Sequence, residues 1–129
     1  MIDHIGLNVR DVVRATEFYL KALAPLGYGI VMQVSAEETG HGAAVGFGAG
    51  QKPSFWIGEG EPMSGPMHVA FVAPSRAAVD AFYAAAIKAG GTDNGAPGLR
   101  PHYHADYYGA FVIGPDGHNV EAVCHRPQS

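Results

Sequence analysis

His4 and His68 stand 64 residues apart, and each opens the same pattern. Sliding the chain on itself by that interval lays His4-Ile5-Gly6-Leu7-Asn8-Val9 on His68-Val69-Ala70-Phe71-Val72-Ala73. In the same register Phe18-Tyr19 falls on Phe82-Tyr83, Leu23 on Ile87 and Gly27 on Gly91. A histidine, an aromatic pair and a glycine that coincide without a gap are the mark of an internal duplication. A duplication restricts the fold to two copies of one supersecondary unit.

Each half reads in the same order. Ile5, Leu7 and Val9, then Val69, Phe71 and Ala73, alternate with period two and predict a short strand. A helix follows. In the first half Asp11 is its N-cap, and Val13, Phe18 and Leu23 are expected near one face. In the second half Ser75 caps after Pro74. Val79, Phe82, Tyr83 and Ile87 give helical spacing, and Gly90-Gly91 stops the helix. Further strands are predicted over Gly29–Val34, Ala43–Phe47 and Ser54–Ile57 in the first half. In the second they are a weak one near Thr92, then Tyr107–Ile113 and Asn119–Cys124. Pro115-Asp116-Gly117 signals a tight hairpin turn between the last two. The fold class expected is α+β: two tandem βαβββ modules, residues 1–60 and 66–125, within one domain of 129 residues, joined by the linker Gly60–Pro66. Side by side they would make a curved mixed sheet, a cup with helices outside and a ligand site inside.

Composition removes several alternatives. Hydrophobic residues are 47% and charged residues 16% of the chain, enough apolar material for a packed core. The formal net charge of -4, with no basic cluster, argues against nucleic acid as a partner. No apolar run approaches the roughly 20 residues needed to cross a bilayer. The charged N-terminus is unlike a signal peptide. A soluble cytoplasmic protein is expected. Its single Cys124, in the apolar run Val120–Cys124, is expected to be buried and inert.

His4 and His68 occupy equivalent strand positions and would face each other across the cup. One such imidazole is ordinarily a satisfied core group, but a pair matched by the repeat implies that something binds between them. Glu121 lies in an otherwise apolar strand. A carboxylate there is costly unless paired, protonated or bound to a cation, or unless it faces solvent. Two histidines and a carboxylate suit a divalent ion (Fe, Mn, Zn or Ni) and leave positions open for substrate. A second cluster, Arg100 to Tyr108, enters from a loop at Gly95–Gly98. Arg100 is a candidate anion binder, and His102 or His104 a candidate general acid or base. Tyr107 or Tyr108 is a candidate hydrogen-bond partner of substrate oxygen, with alternation sending one of the two inward. Tyr103 belongs to the same wall, with Trp56 and Phe111 as apolar candidates. His41, His118 and His125 are given lesser weight, with His118 expected to be exposed in its turn.

The segments DHIGLNVRD, HVAFVAPSRAAVDAFY and FVIGPDGHNVEAV together resemble the vicinal oxygen chelate superfamily: glyoxalases, bleomycin-resistance proteins and extradiol dioxygenases. The resemblance covers essentially the whole chain, and the final hairpin is its most specific part. It implies the paired βαβββ fold and matches His4, His68 and Glu121 to three metal-ligand positions. It implies an enzyme, a lyase, isomerase or dioxygenase, whose divalent metal holds two oxygens of a small substrate. The alternative is a metal-free protein that sequesters a small molecule; a module with a decayed site is the third reading. The first-half counterpart of Glu121 falls near Phe55-Trp56, where no carboxylate stands. The tyrosine of the extradiol enzymes falls near Phe111 and is absent. A homodimer is the assembly expected.

Overall fold

The computed structural model describes residues 2–40, 42–61, 65 and 67–127, with the side chain of Thr39 excepted. His41 and most of the expected linker lie outside the described residues. The elements, in order, are β1 (Ile5–Val9), α1 (Val12–Leu23), a 3-10 turn (Ala24–Leu26), β2 (Gly29–Val34), α2 (Ala36–Thr39), β3 (Ala44–Gly48) and β4 (Phe55–Glu59). There follow β5 (His68–Val72), α3 (Arg76–Lys88), β6 (Thr92–Leu99), β7 (Tyr108–Ile113) and β8 (Asn119–Cys124). The order β1-β4-β3-β2 in one mixed sheet is repeated as β5-β8-β7-β6 in the other. In both, the first strand runs parallel to the last and the remaining pairs are antiparallel. The duplication is therefore a duplication of topology. Among the described residues the two sheets share no strand pair, so one continuous sheet is not formed within a single chain.

Local chemistry sets the boundaries. The Asp11 carboxylate accepts the Arg14 backbone N–H, and the Ser75 hydroxyl accepts that of Ala78, at 3.1 Å in both cases. Each N-cap stabilises its helix by about 1 kcal/mol. The short helix α2 is fixed by a reciprocal capping box between Ser35 and Glu38. Strand β6 is longer than the weak strand expected near Thr92. Gly95, Pro97 and Gly98 read as a loop but lie within it. An edge strand needs ladder bonds on one side only, so it tolerates a proline and the register slips seen at Gly95.

α1 packs on the first sheet, α3 on the second, and the two helices pack on each other. One core results. It joins Leu7, Val9, Phe18 and Phe47 of the first half to Phe71, Phe82, Val112 and Val120 of the second. Phe71 meets Phe55 and Tyr28 edge-to-face at 5.2 and 5.4 Å, which stitches β5 to the first module. Val13 is 75% exposed, contrary to the expected helix face. Five residues rotate an α-helix by about 140°, so Val13 points away from the buried Ala15, Phe18, Tyr19 and Ala22. No described helix is long and apolar enough to cross a membrane.

Candidate active site

On β8 the pleat sends Val120, Ala122 and Cys124 into the core and Asn119, Glu121 and Val123 to the opposite face. Ala70 of β5 and Phe111 of β7 stand directly opposite Glu121 in register. His68, at the head of β5, emerges on that same face. A cavity of about 430 Å³ opens there, lined by His68, Tyr103, His104, Tyr107, Phe111, Glu121 and His125.

At its floor the Glu121 carboxylate is only 1% exposed. It is satisfied on both oxygens. His68 Nε2 donates to Oε1 at 2.8 Å, and the Tyr107 hydroxyl donates to Oε2. Desolvation, followed by this hydrogen bond and the Glu121 charge, pushes the Tyr107 phenol well above its ordinary range, so it remains a donor. The Phe111 ring lies 6.1 Å from that of His68. Asn119, paired with His68, keeps its side-chain oxygen buried without a donor among the described residues.

The wall comes from the segment before β7. His104 Nδ1 accepts the Asp106 backbone N–H at 3.1 Å, which places the His104 proton on Nε2. That N–H donates to His125 Nδ1 at 2.7 Å, and the two rings stack at 5.0 Å. Tyr107 lies edge-on to both, and Tyr103 packs on Tyr107 at 4.8 Å.

Several sequence candidates lie elsewhere. Tyr108 is the member of the tyrosine pair that faces α3, packed against the core on the side away from the cavity. Its hydroxyl donates to Asp80 at 2.6 Å, and the Arg76 guanidinium covers its ring. Arg100 reads in the sequence as an anion binder. Its guanidinium instead donates to the Ala96 and Gly98 carbonyls and lies over the Phe111 ring, outside the cavity lining. His102 packs against Tyr103 with the rings tilted at 45° and does not line the cavity. Trp56 belongs to the other sheet. His4, exposed at the start of β1, bonds through Nδ1 to Asp3 at 2.7 Å. The expected convergence of His4 on His68 and Glu121 does not occur inside one chain. Among the described residues, no three His, Cys, Asp or Glu side chains gather to hold a metal. The reason is the packing of α1 on α3, which gives each sheet its own free face.

Two histidines correct the sequence reading. His118, expected to be exposed, is 3% exposed, because the backbone of both modules claims its ring nitrogens. His125, inconspicuous in the sequence at the end of its strand, lines the cavity. Strand alternation carried the signal: residues 121, 123 and 125 fall on one face. The register also locates the first-half counterpart of Glu121. Glu121 pairs with Ala70, and Trp56 pairs with the repeat-equivalent Gly6. An indole resting over Gly46 therefore stands where the second half has its carboxylate.

The sequence matches the model of the Glyoxalase/Bleomycin resistance protein/Dioxygenase superfamily over residues 1–122. The chain belongs to this superfamily. Solved structures share its fold. A glyoxalase/bleomycin resistance protein from Albidiferax ferrireducens is 28% identical, with 97% of this chain and 98% of that one covered and a TM-score of 0.75. A glyoxalase/bleomycin resistance protein/dioxygenase family enzyme from Burkholderia phytofirmans is 18% identical, with 97% and 98% covered and a TM-score of 0.70. The fosfomycin resistance protein FosX from Listeria monocytogenes, a variant complexed with Mn(II) and 1S,2S-dihydroxypropylphosphonic acid, is 17% identical, with 95% and 88% covered and a TM-score of 0.68. No curated protein matches the sequence.

Proposed function

We propose that this chain is a divalent-metal-dependent enzyme of the superfamily, a lyase, isomerase or dioxygenase. Its substrate is a small oxygenated molecule taken into the His68–Glu121 cavity. The observation that carries this reading is the buried Glu121 carboxylate beside His68 Nε2 at 2.8 Å, on the floor of an open cavity. Two donors each about 2.1 Å from one ion, at right angles, stand about 3 Å apart. The pair therefore fits an ion with little movement. The FosX relative, which carries Mn(II), supports the same reading. His68 Nε2 and one Glu121 oxygen would hold the metal, which supplies Lewis-acid stabilisation of an oxyanion when bound.

The third ligand is proposed to be His4 of a second copy. Strands β1 and β5 are edge strands of their sheets, and His4 stands at the head of β1. A C2 homodimer joining these edges would close the cup from one module of each chain. Around the metal the chain's own groups have separate tasks. Phe111 lies beside His68 on the floor, and Tyr107 holds the carboxylate. His104, whose Nε2–H is hydrogen-bonded to His125 Nδ1, is the candidate acid–base group at the wall, acting through that pair.

A metal-free binding protein is the second reading. It is favoured by one observation: both Glu121 oxygens already have donors within the chain. Metal analysis of protein purified without a histidine tag decides between them. The enzyme reading expects close to one equivalent of a transition metal per chain, lost in Glu121→Gln. Less than about 0.1 equivalent after reconstitution would overturn it.

A further inference from the structure

We propose that Tyr107 is the positioning residue of Glu121: its hydroxyl anchors one carboxylate oxygen so that only the other can meet a metal ion. This rests on the metal reading above. Three features of the fold converge on the phenol. The first is room. A Cβ at Gly109 would stand 3.2 Å from the Tyr107 ring and 3.4 Å from Glu121 Oε2. Glycine there lets the ring lie back across β7 onto the carboxylate. The second is bracing. His104 and His125 approach the Tyr107 ring edge-on at 5.5 and 5.4 Å, at angles of 75° and 84°. Those two imidazoles are hydrogen-bonded to each other, and the Asp106 amide holds His104. The third is aim. The hydroxyl meets Oε2, while Oε1 is the oxygen turned to His68 Nε2.

The consequence is a carboxylate whose two oxygens are held by different partners, the phenol on Oε2 and the His68 imidazole on Oε1. A carboxylate can hold a metal through one oxygen or both. With Oε2 held by the phenol, the oxygen that Glu121 would offer a metal ion is Oε1, once His68 Nε2 gives up its proton, and ligation through one oxygen would be favoured over two. Hydrogen-bond partners that orient a metal ligand commonly change metal affinity by about 10–100-fold when removed. His125, which touches neither the carboxylate nor His68, belongs to the same device because it braces the anchor.

The test uses the full-length protein and Co(II) alone, read by its visible absorption and by a competition titration for Kd. Tyr107→Phe keeps the ring and deletes the anchor. We expect Kd to rise about 10-fold or more, with altered Co(II) bands that report a second carboxylate oxygen. His125→Ala, an exposed change that leaves the hydroxyl in place, is expected to shift Kd in the same direction by about 2–5-fold, smaller than loss of the anchor itself. If Tyr107→Phe fails to fold by circular dichroism, His125→Ala alone decides the question. Wild-type Kd and wild-type bands in the folded variants overturn the positioning role while leaving the metal site intact. Wild-type protein that takes up no Co(II) overturns the metal reading and this proposal together.

Discussion

His118 Nδ1 accepts the Met67 backbone N–H at 2.9 Å, while its Nε2–H donates to the Asn8 carbonyl at 3.3 Å. One buried imidazole from the last hairpin thus joins the head of β5 to β1. His118→Ala leaves the Met67 donor and the Asn8 acceptor without this partner. An unsatisfied buried group costs about 1–3 kcal/mol. The expected result is a loss of about 2 kcal/mol in urea unfolding, with fold and cavity retained. A change below about 0.5 kcal/mol would show that the ring merely fills space.

The His104–His125 pair makes a prediction about protons. The Asp106 N–H occupies His104 Nδ1, so His104 is the Nε2–H tautomer. Long-range proton–nitrogen NMR correlations should show a protonated Nε2 and an unprotonated Nδ1. The pattern should survive in His125→Ala, because the backbone amide sets it. An Nδ1-protonated ring would contradict the geometry.

The proposed shared site can be tested by mixing two defective chains. His4→Ala keeps His68 and Glu121, and Glu121→Gln keeps His4. Each homodimer should bind metal poorly. After unfolding and refolding together, half of the dimers are mixed and each mixed dimer has one complete site. About a quarter of wild-type metal capacity should return. No recovery would mean that His4 is not supplied across the dimer.

Tyr108 links pH to stability. Its hydrogen bond to Asp80, then desolvation, raises the phenol above its ordinary value of 10.0. Above that pH the unfolded chain releases this proton while the folded chain retains it. The contribution is therefore fully present below pH 10 and declines as pH rises through the folded value. Tyr108→Phe should flatten the alkaline fall in stability measured by urea unfolding between pH 9 and 11. Tyr19, Tyr83 and Tyr107 are also raised, so the fall should shrink rather than vanish. An unchanged alkaline profile would contradict the role of the Asp80 bond.

The sequence by itself determined the paired topology, because apolar alternation, caps and the 64-residue interval are local properties repeated twice. It also singled out Glu121, since a carboxylate in an apolar strand must be compensated. What it could not decide was proximity. Whether His4 meets His68 depends on which faces of the two modules turn toward each other, and that is set where α1 packs on α3. The same holds for His118 and His125. Both stand in short polar contexts that look alike in sequence. One is buried because the backbone of two modules claims its ring nitrogens, and the other lines the cavity because its strand parity matches Glu121. Local patterns fix which groups each strand carries. Only the assembled core decides which of those groups come within bonding distance.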